Sequence, residues 1–125
     1  MNKTTNINLQ ITSTIIFLIA TTISLSITYD EKLKQERKNS FYTNEEALNI
    51  SFYNRLLFLI AVLISFYIAI DNYLKQETNK EKYKSVLLLL TSVLSIISSL
   101  IIVYVSYLNK KENTLTPSDT QNTLI

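Results

Sequence analysis

Three apolar stretches, each close to the length that crosses a lipid bilayer, constrain this chain more than any other feature. The first covers residues 9–29 and the third residues 86–108, and neither contains a charged residue. At 1.5 Å per residue, about 20 residues of helix cover the roughly 30 Å of a bilayer's hydrocarbon core. The sequence therefore predicts an all-α integral membrane protein with three transmembrane helices in a small bundle.

The second apolar stretch is shorter, because Arg55 and Asp71 enclose only 15 residues. We expect it to span over residues 53–74, with the Arg55 side chain reaching outward and neighbouring aromatic residues entering the membrane. A buried helix of a soluble protein is the alternative for a stretch of this length. The long apolar stretches on both sides argue against that alternative.

A cleaved signal peptide is the alternative for the first stretch. Lys3 precedes the apolar run, and Ser24 and Ser26 are small enough to stand before a cleavage site. The run from residue 11 to 27 is interrupted by Thr and Ser, however, and lacks the compact apolar core of a signal peptide. We therefore expect it to remain as a transmembrane helix.

The connection between the first two spans is predicted to carry both helices beyond the membrane as a short stalk. Asp30 and Lys34 are an i,i+4 pair in the favourable order, so the first helix should continue into water until residues 39–40 end it. Thr43 and Glu46 have the spacing of a capping box, which places the start of the second helix near Thr43.

The second connection, residues 75–84, is polar and short, and Thr78 and Glu81 repeat the capping-box spacing. The second and third helices are therefore predicted to form an antiparallel hairpin. Residues 1–111 make one membrane domain. Residues 112–125, with Pro117, are polar and aperiodic and are predicted to be a disordered tail.

Composition excludes much chemistry. The chain has no Cys and no His, so it lacks thiolate nucleophiles, the usual ligands of zinc and haem, and the commonest general base. Intramembrane hydrolysis would need a base beside the serines of the spans, and none is present. We expect no enzyme activity, no cofactor and no metal. The net charge of +2 also argues against a nucleic-acid partner.

Small and polar residues recur along each span at alternating spacings of three and four. Such a row lies along one seam of a helix, where small side chains let helices approach and hydroxyls bond across. The predicted helix-packing seam consists of Thr14, Thr21, Ser24, Thr28, Ser51, Asn54, Ala61, Ser65, Ser85, Ser92, Ser95, Ser99 and Ser106. These rows either pack a bundle or, in an oligomer, line a narrow polar pathway.

Orientation follows from the Lys and Arg residues that flank the spans. Seven lie on the side of the first connection and tail, against five on the side of the N-terminus and second connection. The positive-inside rule then predicts a cytoplasmic tail and an external N-terminus, in a plasma membrane.

Three weaker patterns have simple alternatives. Asn2 and Asn49 each open a glycosylation sequon, which arises easily by chance. The C-terminal residues 123–125 fit the pattern that PDZ-type grooves capture, although three residues also match easily by chance. The mixed charges of residues 30–38 are typical of a solvated stalk, or of a site for anionic lipid or a partner.

Two classes of function remain open for such a chain. One is a structural or accessory membrane subunit that acts through helix contacts, as a homo-oligomer or within a larger membrane complex. The other is a self-assembling protein that permeabilises membranes. In three-span topology, size and charged tail the chain is similar in outline to the small phage holins. That similarity covers architecture alone and implies the second class.

Overall fold

A computed structural model of the protein describes residues 2–112, which form three helices. These are α1 (Lys3–Gln35), α2 (Asn44–Lys75) and α3 (Asn79–Glu112). Each is long and apolar enough to cross a membrane, and the described part of the chain contains no strand. The predicted all-helical membrane fold is confirmed. The predicted disordered tail, like the C-terminal PDZ-type pattern, falls outside the described residues apart from Glu112, which ends α3.

The starts of α2 and α3 follow from their capping residues. The hydroxyl of Thr43 accepts a hydrogen bond from the Glu46 backbone at 3.2 Å, and the Glu46 carboxylate accepts one from the Thr43 backbone at 3.4 Å. Thr78 accepts from the backbone of Glu81 at 3.2 Å. The predicted capping box is complete at Thr43, and at Thr78 its hydroxyl half is present. Because α3 begins directly after Thr78, the connection to it has only three residues, and the rest of 75–84 is helical.

The end of α1 is a Schellman motif without glycine. Arg37 has a φ of 57°, in the left-handed region, and its backbone N–H donates to the Lys34 carbonyl at 3.1 Å. The N–H of Lys38 donates to the Leu33 carbonyl at 2.9 Å. The helix thus ends several residues before 39–40, so the prediction that those residues break it was wrong.

The Asp30 carboxylate stabilises the connection between α1 and α2. Its side chain is 1% exposed and accepts hydrogen bonds from the backbone N–H groups of Phe41 and Tyr42. The predicted pair with Lys34 is present at 3.5 Å. The Tyr42 hydroxyl is also 2.9 Å from that of Ser26. One carboxylate therefore holds the chain as it turns from α1 into α2.

The three helices form an open layer with α2 in the middle. Consecutive helices run antiparallel and pack on each other, whereas no Cα atoms of the described parts of α1 and α3 lie within 8 Å. A small apolar core of Ala20, Phe58 and Val62 joins the layer, and the Phe17 ring meets that of Phe58 edge-on at 4.9 Å. Large apolar side chains such as Leu25 point away from the protein, as expected for a surface that faces lipid.

Candidate functional site: a polar groove along the central helix

A groove runs along one side of α2, where α1 and α3 flank it without meeting. It comprises three adjoining half-open cavities of about 360, 240 and 310 Å³, and Ser65 of α2 lines all three. We call it the polar groove. Its polar lining residues are Gln10, Ser13 and Thr14 of α1, Ser65 and Asn72 of α2, and Ser85, Thr91, Ser92 and Ser95 of α3.

The hydroxyls on the α3 wall donate to their own helix. Thr91 donates to the Leu87 carbonyl at 3.0 Å, Ser92 to the carbonyl of Leu88 at 3.1 Å, and Ser95 to that of Thr91 at 3.0 Å. Hydroxyl donors need such partners in lipid, where water is absent. Each oxygen keeps acceptor capacity beyond this bond. The wall therefore tolerates lipid and can also accept a hydrogen bond from a neighbouring helix.

The α1 wall is joined to α2 at mid-span by hydroxyls. Ser13, which is 4% exposed, lies 3.0 Å from the Ser65 hydroxyl and 3.2 Å from the Ala61 carbonyl. Ser65 also contacts the Ala61 carbonyl at 3.0 Å. Small residues on both helices allow this close approach.

A polar cluster closes the groove at the end nearest the N-terminus. The amide of Asn6 donates to Asp71 at 2.7 Å and to Asn72 at 3.1 Å, while Gln10 donates to the Asn6 oxygen at 2.6 Å. Lys75 lies 3.0 Å from the same Asp71 carboxylate. Here α1 and α2 are tied by an amide and ion-pair network at the membrane boundary.

The other half of the bundle buries polar residues between the helices. The Asn54 amide donates to the Ala20 carbonyl at 3.1 Å and to the Ser24 hydroxyl at 3.0 Å. Arg55 is only 2% exposed, so the prediction that it reaches outward was wrong. Ser106 and Asn109 of α3 are buried too, and like Arg55 each has an interaction partner. A buried guanidinium is tolerated only where polar groups compensate it.

The predicted seam residues fall in different places on the three helices. On α2, Ser51, Asn54 and Ala61 are buried and Ser65 is half-buried. On α3, the buried members are Ser85, Ser99 and Ser106, with Ser92 and Ser95 half-buried beside the groove. On α1, Ser24 is buried, whereas Thr14, Thr21 and Thr28 are exposed in the single chain.

The α1 residues that face α2 are a different row, which the spacing analysis missed. Asn6, Ser13, Ala20 and Ile27 recur at intervals of seven, and all four are buried. Each of Thr14, Thr21 and Thr28 lies one position, or about 100° around the helix, after a member of this row. The heptad repeat of Asn6, Ser13 and Ala20 is visible in the sequence, but the threonine row has the same spacing, so spacing alone does not choose between the two rows. The threonine row instead lies toward the groove side of α1, where Thr14 is a lining residue.

The side chains that line the groove are hydroxyl, amide and apolar groups. The chain has no His or Cys, and residues 2–112 contain no group of three acidic side chains placed to hold a metal ion. Fold and site together define a small three-span integral membrane protein with an open polar groove. Compared with protein-family models, curated proteins and solved structures, the chain matches none.

Proposed function

We propose that this protein is a non-enzymatic structural or accessory membrane subunit, and that a transmembrane helix of its partner lies in the polar groove. The observation that carries the proposal is the placement of α1 and α3, which both pack on α2 and stay apart from each other. In a four-helix bundle, two helices that pack on a common neighbour and not on each other lie at diagonal corners, and a fourth helix packs between them. We propose that the partner helix takes that place, in the groove between α1 and α3.

The lining residues suit a helix better than a lipid chain. Ser65, Ser92 and Ser95 are small, so a helix backbone can approach them closely. Their oxygens can accept interhelical hydrogen bonds, each worth about 0.6 kcal/mol in a membrane. The Phe17 and Phe58 rings at the same cavity add apolar surface.

Site-specific photo-crosslinking in the native membrane tests the proposal. A photoreactive residue at Thr91, which is exposed and lines the groove, should give one discrete protein adduct. The same residue at Ile97, which is 50% exposed and lies about 120° around α3 from Thr91, should label lipid only. Equal adducts from both positions would contradict a groove-bound helix.

A variant that fills the groove with larger side chains gives a second test of the same proposal. Replacing Ser92 and Ser95 together by Leu should reduce the Thr91 adduct about tenfold, since overpacking costs about 1–3 kcal/mol. Thr22, an exposed hydroxyl residue on the lipid side of α1, is the control, and Thr22→Leu should leave the yield unchanged.

A membrane-permeabilising assembly is the second candidate, favoured by the hydroxyl oxygens gathered along one groove. In an oligomer these oxygens would line a polar bore. Expression in a bacterium would then depolarise the membrane, and the Ser92→Leu, Ser95→Leu variant would relieve that effect. We expect no depolarisation, because hydroxyls alone replace little of an ion's hydration.

We also propose that the protein lies in a plasma membrane with its C-terminal tail in the cytoplasm. This orientation follows from the larger number of Lys and Arg residues that flank the spans on the side of the tail.

A further inference from the structure

Lys110, near the end of α3, is held against aromatic rings of α2. Its ammonium lies 5.2 Å from the centroid of the Phe52 ring and 5.6 Å from that of Tyr53. The Tyr107 ring is 6.3 Å from the Phe52 ring. Cations within about 6 Å of a ring centroid are attracted to its face. The rings therefore hold the Lys110 ammonium beside Phe52 and Tyr53.

The rings leave the ammonium's hydrogen-bond donors without a strong acceptor. At the same end of the protein, Lys32, Lys34 and Lys38 each have a carboxylate oxygen within 4.0 Å. Among the described residues 2–112, Lys110 has no such carboxylate and is exposed. An ammonium carries three donors, which an aromatic face cannot satisfy. The exposed ammonium is therefore available to an anionic oxygen from outside the described chain.

The depth of the site identifies that oxygen. The uncharged stretch of α3 ends at Leu108, two residues before Lys110, so the ammonium lies at the level of the lipid headgroups. Tyr53 is 63% and Tyr107 50% exposed, and tyrosines favour this interface because their hydroxyls can meet polar partners there. The acceptor common to phospholipid headgroups at this depth is the phosphate.

We propose that Lys110, Tyr53 and Tyr107 bind the phosphate of an anionic phospholipid headgroup. Lys110 supplies the charge, and the two tyrosines supply hydroxyl donors. Because of Lys110, we expect an anionic lipid to be preferred to a choline lipid. A choline headgroup would need the aromatic faces for its own cation, and Lys110 already lies over two of them. This site is separate from the polar groove and does not depend on a helix bound there.

The test uses the full chain in phosphatidylcholine vesicles containing spin-labelled phosphatidylglycerol or spin-labelled phosphatidylcholine. Electron paramagnetic resonance gives the relative association of each label with the protein. We expect a preference for phosphatidylglycerol that falls about fivefold in Lys110→Gln, the effect of one lysine near an anionic surface. Lys110→Arg should retain the preference, because arginine also binds rings and phosphate.

Lys111→Gln is the matched control, since it removes the same charge one residue away from the rings. Equal losses in the two glutamine variants, or no preference in the native chain, would overturn the proposal in favour of diffuse surface charge. Tyr107→Phe keeps the ring and removes only a hydroxyl, and we expect it to lower the preference about threefold. An unchanged preference in that variant would remove Tyr107 from the site.

Inorganic phosphate in excess, added at constant ionic strength, should not reduce the lipid preference, and competition by it would assign the site to a soluble anion instead. Circular dichroism of each variant checks that the helices remain. If Lys110→Gln fails to fold, Tyr107→Phe and Lys110→Arg still decide the question. None of these readouts depends on a partner helix, so they fail or succeed independently of the polar groove.

Discussion

Arg37 adopts a backbone conformation that glycine usually takes at the end of a helix. Its φ of 57° is costly for a residue with a Cβ atom, by about 1 kcal/mol. The chain contains no glycine at all, so a charged residue occupies this position. The two hydrogen bonds of the motif compensate that cost by satisfying the last carbonyls of α1.

Replacing Arg37 by glycine should therefore stabilise the protein. Arg37→Gly is expected to raise the free energy of unfolding by about 0.5–1 kcal/mol, because glycine takes the left-handed conformation without steric cost. Thermal unfolding in detergent, followed by circular dichroism, measures the change. Gln35 lies two residues earlier, within α1, so Gln35→Gly should instead lower the free energy of unfolding. Destabilisation by both substitutions would show that the backbone of Arg37 does not govern the end of α1.

The helices α1 and α2 are joined by polar contacts at three levels. Asn6 with Asp71, Ser13 with Ser65, and Asn54 with the Ala20 carbonyl lie at successive depths along α1. Because lipid is as apolar as the side chains around them, helix association in a membrane depends on packing and hydrogen bonds rather than on hydrophobic burial. These three contacts fix the register of the pair.

Asn54 tests this account. Its side chain is 4% exposed and donates two hydrogen bonds to α1, so Asn54→Leu should weaken the packing of α1 on α2 by about 0.6–2 kcal/mol. Disulfide trapping between cysteines introduced at Ser13 and Ser65 reports the loss as a lower yield. Asn49 is half-buried with no side-chain hydrogen bond to α1, and Asn49→Leu is the control. Similar yields in both variants would mean that apolar packing alone holds α1.

At the scale of the whole molecule, the described residues form an open layer of three spans in which consecutive helices run antiparallel. The two ends of this layer differ. One end carries the stalk that Asp30 organises, and the other carries the short connection at residues 76–78. Because α2 is a single span between them, these two connections lie on opposite sides of the membrane. The charged groups near each end then lie in different compartments, whichever way the protein is inserted.

This topology can be tested with single cysteines, because the native chain has none. Ser40 and Thr78 are exposed and lie in the two connections. An impermeant thiol reagent added to intact cells should label only one of Ser40→Cys and Thr78→Cys, and the other only after permeabilisation. Ser118→Cys in the tail should follow Ser40→Cys. Labelling of Ser40→Cys and Thr78→Cys from the same side would rule out three spans.

Sequence alone determined the parts of this protein that depend on local chemistry. Apolar length predicted three spans, and hydroxyl and carboxylate spacing located the starts of α2 and α3 at Thr43 and Thr78. The burial of Ser51, Asn54 and Ala61 also agrees with the α2 row, because α2 lies between two neighbours and a small-residue row on it meets protein.

Tertiary structure decided what depends on the neighbours of each helix. On α1 the row Thr14, Thr21 and Thr28 had the same spacing as the row through Ser13 and Ala20, and only the position of α2 distinguished them. Arg55 lies at the end of an apolar stretch, where the sequence favours an outward side chain, yet neighbouring helices bury it. The groove itself arises because α1 and α3 stay apart, a spacing that no local pattern encodes.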